Sequence, residues 1–246
     1  MKIKKILVSQ PSPSSDKSPY FDIKKKFGVD LVFRPFIKTE GLTSKEFRQQ
    51  RINLADYTAI IFTARTAIDN FFRLCKETRY NVPETLKYFC TTEQLAHYLQ
   101  NHIVYRKRRI FFGTTGKLDG LEAAFQRHNK EKYLFIISDG AVPNTEILQK
   151  YHLDFTTAVM YRTVSNDFAP DEPFDYDMLL FFSPSGITAL KKNFPDFEQG
   201  DICIGCFGTK TAAAIREAGL RLDLEAPNAK SSSMTDALED FLREHK

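Results

Sequence analysis

Residues 56–67 read DYTAIIFTARTA, and residues 175–186 read DYDMLLFFSPSG. In both stretches a short apolar run, typical of a buried strand, ends in small or hydroxyl-bearing residues and then becomes amphipathic, which is typical of a helix start. Because the two copies lie 119 residues apart, they predict two similar lobes. Each lobe should contain a strand, a tight turn and a helix in this order.

The rest of the chain also alternates between short apolar runs and amphipathic stretches. We predict strands at residues 3–9, 202–207 and 220–224, among others, with helices between them. Such alternation indicates parallel sheets covered by helices, as in flavodoxin-like or Rossmann-like folds. Ligands of open parallel sheets bind beyond the carboxyl ends of the strands, where the repeated turns lie.

The composition indicates a globular protein that lies outside the membrane. Of the 246 residues 42% are hydrophobic, but no apolar run approaches the roughly 18 residues that a membrane span needs. The basic start Met1-Lys2-Ile3-Lys4-Lys5 is followed by an apolar stretch, Ile6-Leu7-Val8, that is too short for a signal peptide. Four cysteines fit a reduced compartment, so we expect a cytoplasmic location.

The net charge of +4 is concentrated in the middle of the chain. Residues 40–163 carry 18 Lys and Arg against 13 Asp and Glu, a net charge of +5. Such a segment attracts an anionic ligand. The excess is too small and too scattered to predict nucleic-acid binding.

Three turns have the composition of anion-binding helix starts. Backbone N–H groups and hydroxyls at a helix N-terminus suit a carboxylate or a phosphate, although ordinary N-capping would need only one hydroxyl. The turns are Ser183-Pro184-Ser185-Gly186, Gly208-Thr209-Lys210-Thr211 and the run that contains Ser232. None matches a nucleophile elbow, a P-loop or a dinucleotide fingerprint. The first strand turn, Ser9-Gln10-Pro11, contains no glycine, which argues against a nucleotide-linked enzyme.

Cysteine and histidine residues give no metal-site pattern. Cys203 and Cys206 have the C-x-x-C spacing, but they lie on a predicted strand and no second pair completes a zinc site, so we interpret them as small buried residues. We expect the five histidines to lie on the surface.

Taken in order, five segments resemble the uroporphyrinogen-III synthase family. They are Ile61-Phe62-Thr63, Tyr161-Arg162-Thr163, Phe181-Phe182-Ser183-Pro184-Ser185-Gly186, Gly208-Thr209-Lys210-Thr211-Ala212 with the following Gly219-Leu220, and Glu225-Ala226-Pro227. The resemblance implies two α/β lobes joined by two connectors, with a cleft between them. The implied bounds are residues 1–36 plus 174–246 for one lobe, 40–163 for the inserted lobe, and 37–39 and 164–173 for the connectors.

The resemblance also implies a reaction. Family members cyclise hydroxymethylbilane, an anionic linear tetrapyrrole, with inversion of the terminal (D) pyrrole ring and loss of water through a proposed spiro intermediate. It implies a lyase of haem biosynthesis that needs no cofactor and no metal and acts as a monomer. A two-lobed binding or sensor protein for an anionic small molecule is the alternative.

For the site residues, the resemblance implies a role for Tyr161 in the loss of the hydroxyl group. Ser183 and Thr211 match positions that line the family's cleft. The remaining expected substrate-binding residues are Ser9, Thr63, Arg65, Pro184, Ser185, Gly186, Gly208, Thr209, Lys210 and Ser232. The sequence departs from the family pattern at Ala64-Arg65-Thr66, where the basic residue has moved by one, and at Cys90-Thr91-Thr92-Glu93, which lacks the usual glycine.

Overall fold

A computed structural model describes residues 3–245 of the chain. Met1 and Lys2, part of the basic start considered above, lie outside the described residues, as does Lys246. The chain divides into two compact units. The first unit comprises Met1–Lys38 and Val164–Lys246, and the second unit comprises Thr39–Thr163.

Between residues 3 and 245 the strands are Lys5–Val8 (β1), Asp30–Phe33 (β2), Ile37–Gly41 (β3), Ala59–Phe62 (β4), Lys87–Cys90 (β5), Ile110–Phe112 (β6), Lys132–Ser138 (β7), Asp154–Ser165 (β8), Met178–Phe181 (β9), Cys203–Phe207 (β10) and Leu224–Ala226 (β11). The α-helices of the same range are Pro19–Phe27 (α1), Ser44–Gln49 (α2), Arg65–Glu77 (α3), Glu93–Tyr98 (α4), Glu122–Arg127 (α5), Glu146–Lys150 (α6), Pro184–Asn193 (α7), Thr209–Glu217 (α8) and Met234–Glu244 (α9). None of these helices has the length and apolar character needed to cross a membrane.

The first unit is built on a parallel five-stranded sheet in the order β11-β10-β9-β1-β2. Side chains alternate between its faces, so that Ile6 and Val8 pack with α1 and α9 whereas Leu7 packs with α7 and α8. Both faces are therefore covered by helices. This explains why the central strands are apolar at nearly every position.

The second unit has a six-stranded sheet in the order β3-β8-β7-β4-β5-β6, in which β8, β7, β4, β5 and β6 pair in parallel. Ile60 and Phe62 of β4 pack with α3 and α4, whereas Ala59 and Ile61 pack with α5 and α6. The predicted α/β fold with two parallel sheets is confirmed.

The internal repeat is also present in the backbone. Ala64 precedes α3 with φ −150° and ψ 153°, and Ser183 precedes α7 with φ −155° and ψ 153°. Tyr57 and Tyr176 are each 8% exposed. The Lys132 Nζ, at the start of β7, lies 5.3 Å from the ring centroid of Tyr57. In the same way the Lys5 Nζ, at the start of β1, lies 4.9 Å from the ring centroid of Tyr176. The repeat therefore specifies a strand entry and a helix start in each unit.

One strand prediction was wrong, and one strand was missed. The strand expected at residues 220–224 begins only at Leu224, because Asp223 bonds the β10 backbone through its side chain and Gln199 holds the backbone around Arg221. The strand β3 was missed and lies where the sequence predicted a connector. Its polar residues Lys38, Thr39 and Glu40 are exposed at the edge of the sheet, so they show no apolar pattern.

The segment after β8 packs on the first unit. Arg34 makes a two-pronged ion pair with Glu172, at 2.8 and 3.0 Å, and its guanidinium lies 3.8 Å from the ring centroid of Phe168. Phe168 in turn packs on the buried Phe36, with ring centroids 5.0 Å apart. The proline-containing composition of residues 165–173 therefore belongs to an ordered loop.

Candidate functional site

In the first unit, the predicted residues follow three adjacent strands. Ser9 follows β1, Ser183 follows β9 and Gly208 follows β10, and these strands are neighbours in the sheet. The Ser9 N–H donates to the Leu180 carbonyl at 3.0 Å, so the ends of β1 and β9 are held together. The carboxyl edge of this sheet therefore gathers residues that are distant in sequence.

At the start of α7, Ser183 occupies the N-cap position but its hydroxyl makes no capping hydrogen bond. Pro184 and Ser185 are exposed, whereas Gly186 is buried. A Cβ on Gly186 would lie 3.1 Å from the Phe181 ring, so the helix packs closely on β9 at this point. The capping interpretation of Ser183 therefore does not account for its hydroxyl.

At the start of α8, Gly208 has φ +91°, which only glycine adopts readily. Thr209 and Lys210 are exposed, whereas Thr211 is 2% exposed and turned into the protein. The N–H groups at this helix start carry partial positive charge, and Lys210 adds a full charge. Thr209 and Lys210 are thus open to an anion, whereas the predicted residue Thr211 is buried beneath them.

The serine run divides into three different roles. Ser231 is buried and donates to Asp240 at 3.1 Å, and Ser233 caps α9 by accepting from the Asp236 N–H. Ser232 is exposed between them. The two flanking serines are structural, and only Ser232 is free for a ligand.

In the second unit, Thr63 follows β4 and Arg65 begins α3. Arg65 is exposed and its guanidinium lies 5.2 Å from the ring centroid of Tyr98. The Tyr98 hydroxyl donates to Asp69, which anchors the ring beneath the guanidinium.

Tyr161 lies at a β-bulge in β8. Ile137 of β7 is opposite Val159, but the next residue, Ser138, is opposite Tyr161, so β8 carries one extra residue at this point. Bulges redirect the side chains beside them. Burial raises the pKa of the Tyr161 phenol above its ordinary value, and the phenol therefore keeps its proton at neutral pH. Its hydroxyl makes no hydrogen bond to any described residue.

The phenol lines a pocket of about 320 Å³ at the carboxyl edge of the second sheet. Its lining combines apolar side chains with four hydroxyl-bearing residues, one lysine and one asparagine. These polar residues are Thr63, Thr91, Ser138, Tyr161, Lys117 and Asn144. We call it the Tyr161 pocket. The structure thus brings two predicted residues, Tyr161 and Thr63, into one site, and it leaves Arg65 outside the lining.

Thr91 is the least expected member of the Tyr161 pocket. It is 1% exposed, and its hydroxyl oxygen is fully buried with no hydrogen-bond partner among the described residues. Leaving a hydroxyl in this state costs about 1–3 kcal/mol, so such groups usually face a ligand or a water. In the sequence this turn stands out only as a departure from a family pattern. Nothing in the sequence signals the burial of the hydroxyl.

Lys117 reaches the Tyr161 pocket through a tightly folded loop. A Cβ on Gly113 would lie 2.9 Å from the backbone carbon of Gly120, so the two ends of the loop touch. Thr115 donates to Asp119 at 2.6 Å within it. The loop places one positive charge beside four hydroxyls, which suits a carboxylate.

Among the described residues, the cysteine and histidine side chains do not form a metal site or a reactive thiol site. No cluster of three or more His, Cys, Asp or Glu side chains between residues 3 and 245 is placed to hold a metal ion. Cys206 is buried in β10 and burial raises its pKa to about 11, while Cys203 is half-buried. Of the histidines, His128 is half-buried against Phe111, with ring centroids 4.4 Å apart, so its predicted surface position was wrong.

Comparison with known proteins gave a family match. A family model described as uroporphyrinogen-III synthase HemD matches residues 22–236. No curated protein sequence gave a significant match.

Solved structures of the same description share the fold. The structure of uroporphyrinogen-III synthetase from Helicobacter pylori 26695 matches with a TM-score of 0.58 and 18% identity, covering 98% of this chain and 100% of that one. A mutant uroporphyrinogen III synthase from the extremely thermophilic bacterium Thermus thermophilus matches with a TM-score of 0.50 and 14% identity, covering 98% of each chain. At these identities the likeness concerns the fold.

Proposed function

The chain belongs to the uroporphyrinogen-III synthase family of tetrapyrrole biosynthesis, and we propose that it cyclises hydroxymethylbilane with inversion of the terminal (D) pyrrole ring, loss of water and a spiro intermediate. The family match over residues 22–236 carries this proposal. The Tyr161 pocket supports it, since it combines a neutral phenol, three further hydroxyls and a lysine.

In this proposal the phenol of Tyr161 assists departure of the hydroxyl group. The bond between the terminal methylene carbon and its oxygen breaks, and the oxygen leaves with a proton as water. Because burial raises the phenol pKa, Tyr161 is a hydrogen-bond donor at neutral pH and can stabilise the negative charge that develops on the departing oxygen. The substituted α-carbon of the terminal ring attacks this methylene carbon to give the spiro intermediate, and its original bond to the neighbouring methylene bridge then breaks. The free α-carbon of the same ring attacks that bridge carbon and loses its proton, which balances the proton that leaves with the hydroxyl group as water.

The other residues hold the substrate's carboxylates. In the second unit Thr63, Thr91, Ser138 and Lys117 donate to them from the walls of the Tyr161 pocket. In the first unit the starts of α7 and α8 offer Ser183, Ser185, Thr209 and Lys210. The half-buried Ser9 and the exposed Ser232 provide further hydroxyls. By holding the linear tetrapyrrole in a bent conformation, these contacts favour ring closure over release of the linear molecule. These donors leave no step that requires a cofactor, so we propose a lyase that acts without one.

The cellular setting is part of the proposal. All four cysteines are free thiols, which fits a reducing compartment, and we propose the cytoplasm. We also propose that the protein acts as a monomer, which light scattering at micromolar concentration measures directly.

The test is a product analysis. Purified protein is supplied with freshly made hydroxymethylbilane, and the oxidised products are separated by chromatography, with heat-denatured protein as the control. We expect the type III isomer with the native protein and the type I isomer with the control. Formation of the type I isomer alone in both samples would refute the proposal and favour a binding protein without catalysis.

A further inference from the structure

A second pocket lies at the opposite edge of the second unit's sheet. Its volume is about 230 Å³, and it is found at the amino ends of β5 and β6. It shares no residue with the Tyr161 pocket. We call it the Arg109 pocket. Nothing in the proposed synthase reaction uses this edge.

Arg109 lines this pocket without an ion-pair partner among the described residues, although Glu84 and Arg106 line it too. Its Nε is fully buried and has no hydrogen-bond partner, and its side chain forms no ion pair with any described residue. The neighbouring Arg106, by contrast, pairs with Glu84 at 3.1 Å. Burying a guanidinium N–H group without a hydrogen-bond acceptor costs free energy. A ligand that supplies an acceptor to Arg109 would remove this cost.

The other walls are aromatic and apolar. The rings of Phe72 and His102 are stacked, 4.7 Å apart and 6° from parallel, and His102 is held by Asp69 at 3.0 Å. Tyr88 is 1% exposed, and the rest of the apolar lining consists of Val82, Pro83, Ile103 and Val104. Burial raises the pKa of Tyr88, and the nearby Arg109 guanidinium offsets a smaller part of this rise. A flat ring is the shape that such walls accommodate best.

We propose that the Arg109 pocket binds a small aromatic monocarboxylate. The carboxylate would accept from the Arg109 guanidinium, whose planar fork matches it, and the ring would lie against Phe72 and Tyr88. One negative charge is expected because Glu84 already neutralises Arg106 and repels a second anionic group. The volume is below that of pockets that take drug-sized ligands, so the ligand is about the size of benzoate. This inference does not depend on the proposed function.

The experiment is a titration of the whole 246-residue chain with benzoate, monitored by calorimetry or by NMR. Benzamide, the neutral molecule of the same shape, is the ligand control. Arg109→Gln removes the guanidinium, and Arg108→Gln is the matched control because Arg108 is the adjacent, exposed arginine and does not line the pocket. Thr91→Val tests whether benzoate binds at the opposite edge instead.

We expect benzoate to bind the native protein, Arg108→Gln and Thr91→Val alike, and to bind Arg109→Gln about tenfold or more weakly, as is typical of a lost charge-assisted hydrogen bond. Benzamide should bind as weakly as benzoate binds Arg109→Gln. Absence of benzoate binding, equal binding by Arg109→Gln or equal affinity for benzamide would each overturn the proposal. If Arg109→Gln does not fold, Val82→Phe fills the pocket and should abolish binding while leaving the guanidinium in place.

Discussion

The buried hydroxyl of Thr91 leads to a prediction in which stability and activity change in opposite directions. Thr91→Val replaces the hydroxyl by a methyl group of similar size and leaves the rest of the side chain unchanged. In the ligand-free protein this change removes a polar atom that has no hydrogen-bond partner among the described residues. With substrate bound, it removes a donor from the wall of the Tyr161 pocket.

The magnitude follows from the burial of the oxygen. An unsatisfied buried hydroxyl costs about 1–3 kcal/mol, so we expect the free energy of unfolding to rise by about 1 kcal/mol or more. For a chain of this length that corresponds to an increase in Tm of roughly 2–4 °C. A hydrogen bond to a carboxylate contributes about 1.5–3 kcal/mol, so kcat/KM should fall by about tenfold or more.

The adjacent Thr92 provides the control. Its hydroxyl caps α4 by accepting from the Leu95 N–H at 3.3 Å. Thr92→Val should therefore lower the free energy of unfolding by about 1 kcal/mol. Neighbouring substitutions of the same kind thus have opposite expected effects on stability.

The assays are thermal unfolding without substrate and initial rates with hydroxymethylbilane. A lowered Tm of Thr91→Val together with a native kcat/KM would contradict this prediction, because a fixed water would then satisfy the hydroxyl and the substrate would not reach it. Thr91→Ser keeps the hydroxyl and should retain most of the activity.

Further predictions concern catalysis, packing and pH. Tyr161→Phe should lower kcat about ten- to a hundredfold with an unchanged Tm, and an unchanged rate of type III formation in the chromatographic assay would exclude the phenol from the reaction. Gly113→Ala should destabilise the protein by about 1–3 kcal/mol in denaturant unfolding, because the added Cβ meets the Gly120 backbone; a native midpoint would show that the loop can relax. The pKa of Glu46 is lowered to about 2, first by the Thr43 N–H and hydroxyl and then by Arg162, so its stabilising effect is present above the ordinary carboxyl pKa and is lost as the pH falls through the folded value. Glu46→Gln should therefore flatten the dependence of stability on pH between about 4.5 and 2, and a parallel curve for the two proteins would contradict this assignment.

The sheets could be predicted from the sequence because their central strands are unambiguous. β4 and β9 bury all four of their residues, and such runs stand out against amphipathic helices. β3 could not be predicted, since it pairs at an edge and exposes the polar side chains of Lys38, Thr39 and Glu40. Edge pairing depends on the neighbouring strand, which a local pattern does not reveal.

The candidate site was predictable only in part. The helix starts that contain Ser183 and Lys210 follow from their turns, and Tyr161 follows from a family resemblance. The Tyr161 pocket depends on five chain segments meeting in space and on a bulge that inserts one residue into β8. Thr91 and Lys117 could therefore be identified only from the structure, because local sequence predicts neither the burial of a hydroxyl nor the path of a loop.

The division of the first unit into two stretches governs when each unit can form as the chain emerges from the ribosome. β1 pairs with β9, with Ile6 opposite Met178, and the Lys4 N–H donates to the Asp177 carboxylate at 2.7 Å. The whole of the second unit, Thr39–Thr163, is synthesised before β9 exists. The inserted unit can thus fold early, whereas the open edge of β1, with its apolar Ile6, Leu7 and Val8, must wait for the last third of translation. Until then this edge is open to pairing with another nascent chain, and slower translation of the inserted unit would lengthen that exposure.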